Sequence, residues 1–162
     1  MIRKTIYDGD IFTSAAQALV IPVNCAGAMG AGLARDFRER FPEVASAYRS
    51  LYAAEEIRIG AVTSFDWQER LFVYFPTKQH WKGKSRLEDI DDGLRALREL
   101  ITDRAVTSIA VPALGCGCGG LSWSLVEPRI RANLQNLSGV DIEIYAPMGQ
   151  KPHRGRAQGA SA

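Results

Sequence analysis

Apolar positions along the chain switch between two periods, and glycine or proline marks most of the switches. Met1 to Tyr7 alternates weakly, in the manner of an edge strand, and closes on the turn Asp8-Gly9-Asp10. Ala18 to Val23 is apolar throughout, as expected of a strand covered on both faces. Pro22 has no donor for a ladder, so pairing is interrupted there or lies on the other side. Leu33, Phe37 and Phe41 recur every four residues and predict an amphipathic helix from Leu33 to Arg40. Pro42 restarts it, with Val44, Tyr48 and Leu51 on the apolar face. Gly60 to Trp67 and Leu71 to Phe75 are β-rich runs parted by Gln68-Glu69-Arg70, which suits a hairpin that Pro76 ends.

Ser85-Arg86-Leu87-Glu88 reads as a capping box, hydroxyl and carboxylate each satisfying one orphan N–H at a helix start. The helix it opens carries Leu87, Ile90, Leu94, Leu97 and Ile101 on one face. Ser108 to Val111 is a buried strand. Ser124 to Leu137 predicts the last helix, with Val126, Ile130, Leu134 and Leu137 inward, Pro128 near its first turn and Gly139 as its stop. Asp141 to Ala146 alternates as a final strand. Strands alternating with helices predict an α/β sandwich around a mixed, largely parallel sheet. Residues 149–162, basic and without apolar periodicity, are expected to form a disordered tail or linker.

Composition narrows the function classes without choosing one. The 162 residues suffice for one domain with a real core, and a net charge of +2 does not argue for nucleic acid. No apolar run approaches the roughly 20 residues that span a bilayer, so no membrane role is expected. Three cysteines and two histidines make neither a disulfide framework nor a metal-ligand set. The expectation is a cytoplasmic protein with reduced thiols and no metal or cofactor.

Two strand-to-helix connections are rich in glycine. Val111-Pro-Ala-Leu-Gly-Cys-Gly-Cys-Gly-Gly-Leu-Ser-Trp123 holds four glycines within six residues, and Asn24 to Gly32 holds three more. A strand, a glycine turn and a helix N-terminus together offer several N–H groups to an anion, backed by the helix dipole. The last loop therefore reads as a phosphate cradle, although it is neither G-x-G-x-x-G nor a P-loop. Ligands of such sheets bind beyond the carboxyl ends of the strands, where both loops and the Lys78 segment lie. Asp10 by itself is a turn residue or an acceptor for an amino group. Asn24 either caps the following turn or meets a ligand hydroxyl. Lys78 by itself is a surface charge, and Trp81 and Trp123 read as loop anchors.

The turn Gly9-Asp10-Ile11, then Val23-Asn-Cys-Ala-Gly-Ala-Met-Gly-Ala-Gly-Leu-Ala34, then Leu114-Gly-Cys-Gly-Cys-Gly-Gly-Leu-Ser-Trp123 resemble, in order and spacing, the motifs of a macrodomain. The resemblance covers residues 1–148 and implies a three-layer α/β/α sandwich. Phe75-Pro-Thr-Lys-Gln-His-Trp81 is similar to the antitoxin branch, the DarG-type DNA ADP-ribosyl glycohydrolases. It implies that Asp10 and Ile11 hold the adenine end of ADP-ribose. Asn24 lies beside the distal ribose, with the backbone of Gly30, Ala31 and Gly32 along that side. Gly115, Cys116, Gly117, Cys118, Gly119, Gly120 and Leu121 take the pyrophosphate, and Lys78 is catalytic. The implied partners are ADP-ribose, ADP-ribosylated single-stranded DNA and a cognate ADP-ribosyltransferase toxin. Protein-directed relatives carry an acid in the last glycine loop where this chain has Cys118-Gly119-Gly120. Removal of ADP-ribose from DNA bases thus stands beside two alternatives, a non-catalytic ADP-ribose reader and a deacylase of small ADP-ribose esters.

Overall fold

A computed structural model describes residues 1–2 and 4–152. The 3-10 turn η1 (Ile11–Thr13) precedes strand β1 (Ala18–Asn24) and helices α1 (Gly32–Arg40) and α2 (Pro42–Ala53). A hairpin of β2 (Thr63–Trp67) and β3 (Arg70–Lys78) leads to α3 (Leu87–Asp103), β4 (Ser108–Val111), α4 (Trp123–Leu134) and β5 (Asp141–Ile144). The five strands form one sheet in the order β2-β3-β1-β4-β5, parallel except for β2.

Alternation divides the core in two. Ala18 and Val20 of β1, with Leu71, Val73 and Phe75 of β3, face α3 and α4. Leu19, Ile21 and Val23, with Phe72 and Tyr74, face α1 and α2. Each strand is thus buried on both sides, as its unbroken apolar run requires. Helix α3 lies close on the sheet at Gly93, where a Cβ would fall 2.4 Å from Phe75 Cζ. On the other face Phe12 meets Phe37 with centroids 4.7 Å apart, and Phe41 meets Phe72 at 5.0 Å. That aromatic cluster fixes η1 against α1.

Several expectations need correction. Pro76 does not end its strand, because β3 runs on to Lys78. Leu71 N–H donates to Gln17 in front of β1, so odd residues of β3 bond β1 and Pro76 points towards β2. Strand β2 begins at Thr63, opposite Tyr74, so the missing donor falls beyond its reach. The same parity turns Pro22 towards β4, whose ladder with β1 registers only at Ala18 and Leu19. Among the described residues of the first seven, Ile2 bridges Ile142 and Ile6 bridges Tyr145, each as an isolated parallel bridge and not as part of a continuous edge strand. Ser85 forms no capping box: α3 starts at Leu87 with Arg86 as its N-cap, and Ser85 N–H is bound to Gly119 O instead. Helix α4 is shorter than its pattern and carries Pro128 in its interior, beyond the first turn. Arg98 caps its end by donating to the carbonyls of Asn133 and Gln135, and Asn136 then takes a positive φ of 60°. Most of the expected tail, residues 153–162, lies outside the described residues. No helix is long and apolar enough to cross a membrane among the described residues.

Candidate functional site

A cleft of about 1060 Å³ opens at the carboxyl ends of the parallel strands. It is bordered by the turn before η1, the loop from β1 into α1, the end of β3, the loop after β4 and the segment after β5. Of the residues expected to bind, Asp10, Ile11, Asn24, Gly30, Ala31, Gly32, Lys78, Gly115, Gly117, Cys118 and Gly119 line it. Cys116, Gly120 and Leu121 do not. Leu121 and the half-buried Cys116 pack into the core behind the loop, where burial pushes the Cys116 thiol up to about 11. Gly120 takes a positive φ of 76° beside the Lys84 side chain.

The two glycine loops approach each other, since a Cβ on Gly32 would sit 3.7 Å from Cys118 Sγ. Within the second loop Cys116, Gly120 and Leu121 donate to Ala113, Gly117 and Gly115. No hydrogen bond among the described residues engages the N–H groups of Gly117, Cys118 or Gly119. Gly117 has open space where a Cβ would stand, whereas Gly119 has none: Ser85 Oγ lies 2.2 Å and Gly115 O 2.5 Å away. One glycine serves close approach from the cleft and the other serves packing beneath it. Helix α1 opens without a side-chain cap and with no acid in its first turn, leaving its first N–H groups to the cleft. The start of α1 can thus receive an anion with no acid in its own first turn.

Asn24 is buried and its side chain is spent on the loop. Its Oδ1 accepts from Ala26 N–H at 3.0 Å and Ala28 N–H at 3.3 Å, its Nδ2 donates to Ala28 O at 2.9 Å, and Tyr48 Oη donates to the Asn24 backbone carbonyl at 2.6 Å. These are turn-capping contacts. Asp10 caps η1, accepting from Phe12 N–H at 2.9 Å, while its side chain stays exposed at the cleft rim.

Lys78 stands opposite Asn24 in the β1–β3 register, just past an irregularity that leaves Thr77 without a partner. It is 9% exposed, and its Nζ donates to Trp81 O at 2.9 Å. Lys82 sits over the Trp81 ring at 4.8 Å, and Lys84 lies along Gly120. Trp123 is buried as expected. Trp81 is not buried like an anchor: the residue is 52% exposed at the cleft.

The cleft also includes Phe12, Arg40, Tyr145, Pro147 and Met148, which the sequence reading did not select. Arg40 covers the Phe12 ring at 4.3 Å. Tyr145 donates to Glu143 at 2.8 Å; burial, then Glu143, pushes its hydroxyl up to about 12. The residues after β5 follow from the same carboxyl-end rule that singled out the other loops. Among the described residues no group of three His, Cys, Asp or Glu side chains is placed to hold a metal ion.

Residues 20–130 match the family described as Macro domain. A DNA ADP-ribosyl glycohydrolase of Mycobacterium tuberculosis is 40% identical over 149 residues, covering 90% of this chain and 42% of the relative. The chain therefore spans under half the length of that curated relative. The solved macrodomain of Mycobacterium tuberculosis DarG superposes with a TM-score of 0.86 at 40% identity, covering 91% of this chain and 98% of that one. Thermosipho africanus DarTG in complex with ADP-ribose gives 0.83 at 35% identity, covering 89% of this chain and 41% of that one.

Proposed function

The chain belongs to the macrodomain family, and from that premise we propose that it removes ADP-ribose from modified DNA bases in the cytoplasm. One observation carries the reading beyond the similarity: a nearly buried lysine amine borders the same cleft as the unengaged N–H groups of Gly117 to Gly119 and the uncapped start of α1. The pyrophosphate takes the Gly117–Gly119 donors and the α1 end, and Asp10 accepts from the adenine amino group. The distal ribose then turns its anomeric carbon towards Lys78.

In the net reaction the bond from that carbon to the base nitrogen breaks. The carbon gains hydroxyl from water, the nitrogen gains a proton, and free ADP-ribose leaves an intact base. Lys78 serves either by forming an imine with the opened sugar or by steering the charge of an oxocarbenium-like state. The reader alternative has one observation in its favour: Lys78 Nζ is already hydrogen-bonded to Trp81 O, a purely structural use.

The test incubates the protein with an ADP-ribosylated single-stranded oligonucleotide and, separately, with an ADP-ribose ester, following release by chromatography. Release from DNA supports the proposal. Release from the ester alone favours the deacylase, and tight ADP-ribose binding with no release from either favours the reader.

A further inference from the structure

The Trp81 carbonyl holds Lys78, while the residue stays 52% exposed beside the cleft. Among the described residues its ring meets only its neighbours His80 and Lys82 in ring contacts. Large exposed side chains of this kind are uncommon here: among the described residues only Met1, Tyr52, Leu125 and Met148 share that status, and none is another tryptophan. The segment carrying it is nonetheless held at both ends. Gly83 N–H donates to His80 O at 2.9 Å and Ser85 N–H to Gly119 O at 3.0 Å, while Lys82 N–H donates to His80 Nδ1 at 3.2 Å. The His80 ring lies 5.4 Å from the indole at 30°. An aromatic surface is thus presented to solvent on a tied loop, at the edge of the site.

The segment that carries it has one sign of charge up to Arg86, which pairs with the exposed Glu88. From Lys78 to Arg86 the chain carries Lys78, Lys82, Lys84 and Arg86 and no Asp or Glu. Lys82, Lys84 and Arg86 are exposed. The acids that line the cleft, Asp8, Asp10, Asp36 and Glu39, belong to the η1 and α1 segments instead. Those segments pack on the α1–α2 face of the sheet, whereas Ser85, with Ile90 and Leu121, surrounds Gly115 on the α3–α4 side. A polyanion approaching the cleft meets mixed charge on the first side, where Arg35, Arg38 and Arg40 interleave with Asp36 and Glu39, and a run of cations without acids on the second.

We propose that Trp81 and Lys82 form the landing surface for the DNA strand next to the modified base. A flanking unpaired base stacks on the Trp81 ring, and Lys82 meets the adjoining phosphate. An exposed cation–π contact is weaker than a base–aromatic stack, so the arriving base displaces the ammonium from the ring. Because a stacked base must be free of its complement, this surface selects single-stranded over duplex DNA. The inference rests on the proposed reaction and adds a specificity determinant to it.

The experiment compares Trp81→Ala and Trp81→Phe with the parent, using an ADP-ribosylated oligonucleotide, the same oligonucleotide with abasic flanks, and an ADP-ribosylated mononucleoside. Affinity is measured in a Lys78→Ala background so that substrate persists, and kcat/KM with Lys78 intact. Trp81→Ala should cost about 5- to 150-fold more on the oligonucleotide than on the mononucleoside, with most of the loss recovered by phenylalanine. Abasic flanks should erase the difference between Trp81→Ala and its parent. Equal losses on all three substrates would make Trp81 a structural support and overturn the proposal, as would oligonucleotide affinity unchanged by Trp81→Ala. Preference for an ADP-ribosylated acidic peptide over the oligonucleotide would overturn it in favour of a protein substrate. If the parent turns over nothing, the hydrolase reading falls, while the affinity comparison still decides the role of Trp81.

Discussion

Gly117→Val separates ligand binding from folding. Gly117 is exposed, its φ lies outside the left-handed region, and a Cβ added there meets no heavy atom within 4 Å. Folding stability should therefore change by no more than about 0.5 kcal/mol, the range for surface substitutions that break nothing. The lost freedom of the unfolded chain would even act in its favour. The valine methyls, however, occupy the space through which a pyrophosphate reaches the N–H groups of Gly117, Cys118 and Gly119. A hydrogen bond to a charged group contributes about 1.5–3 kcal/mol, so losing one weakens binding about 10- to 150-fold. Gly119→Ala is the opposite control: its Cβ would fall 2.2 Å from Ser85 Oγ and 2.5 Å from Gly115 O, so it should lower the Tm. Scanning calorimetry without ligand and titration calorimetry with ADP-ribose read the two effects apart. Parental affinity in a folded Gly117→Val protein, or a Tm loss matching that of Gly119→Ala, would refute the cradle.

Asp10→Ala should cost about 1.5–3 kcal/mol of ADP-ribose affinity and also remove the η1 cap, whereas Asp10→Asn should keep the cap and recover part of the affinity. Titration with ADP-ribose and with its guanine counterpart checks this; an Asp10→Ala protein without preference for adenine supports the assignment, and one with full preference contradicts it. The exposed Cys118 should be alkylated at neutral pH well before Cys116, whose thiol burial pushes up to about 11, because the thiolate is the reactive form. ADP-ribose should protect Cys118, read by mass spectrometry; alkylation unaffected by saturating ligand would move the pyrophosphate away from this loop.

Sequence patterns located the five strands and four α-helices because all of them except the edge strand β2 bury apolar side chains. They failed where tertiary contacts overruled a local pattern. Ser85 has the chemistry of a helix cap, yet the glycine loop takes its N–H, and its hydroxyl is left buried without a partner. Pro76 looked like a strand end because sequence does not reveal that β2 stops short of it. At the site, glycine spacing found both loops but could not divide them into front and back. Gly117 and Gly119 are two residues apart, and only packing distinguishes the one open to the cleft from the one closed against Ser85. Asn24 read as a ligand in preference to a cap; in the fold its side chain bonds Ala26 and Ala28 of its own loop. Trp81 read as an anchor because exposure depends on which side of a loop faces the core.

The central claim is that Lys78 is the reacting group and the glycine loops supply the affinity. Lys78→Ala and Lys78→Arg variants, assayed for release of ADP-ribose from a single-stranded ADP-ribosylated oligonucleotide and for binding of free ADP-ribose, test it directly. Binding should hold within a few-fold in both if, as proposed, the cradle and Asp10 make the principal contacts. Release should fall by at least about a hundredfold in the alanine variant, the lower range for loss of a positioned catalytic group. An arginine variant that fails as well points to the imine, since guanidinium keeps its charge but not its nucleophilicity, while an active one points to electrostatic steering. Full turnover by Lys78→Ala would contradict the account and return the lysine to its structural bond with Trp81.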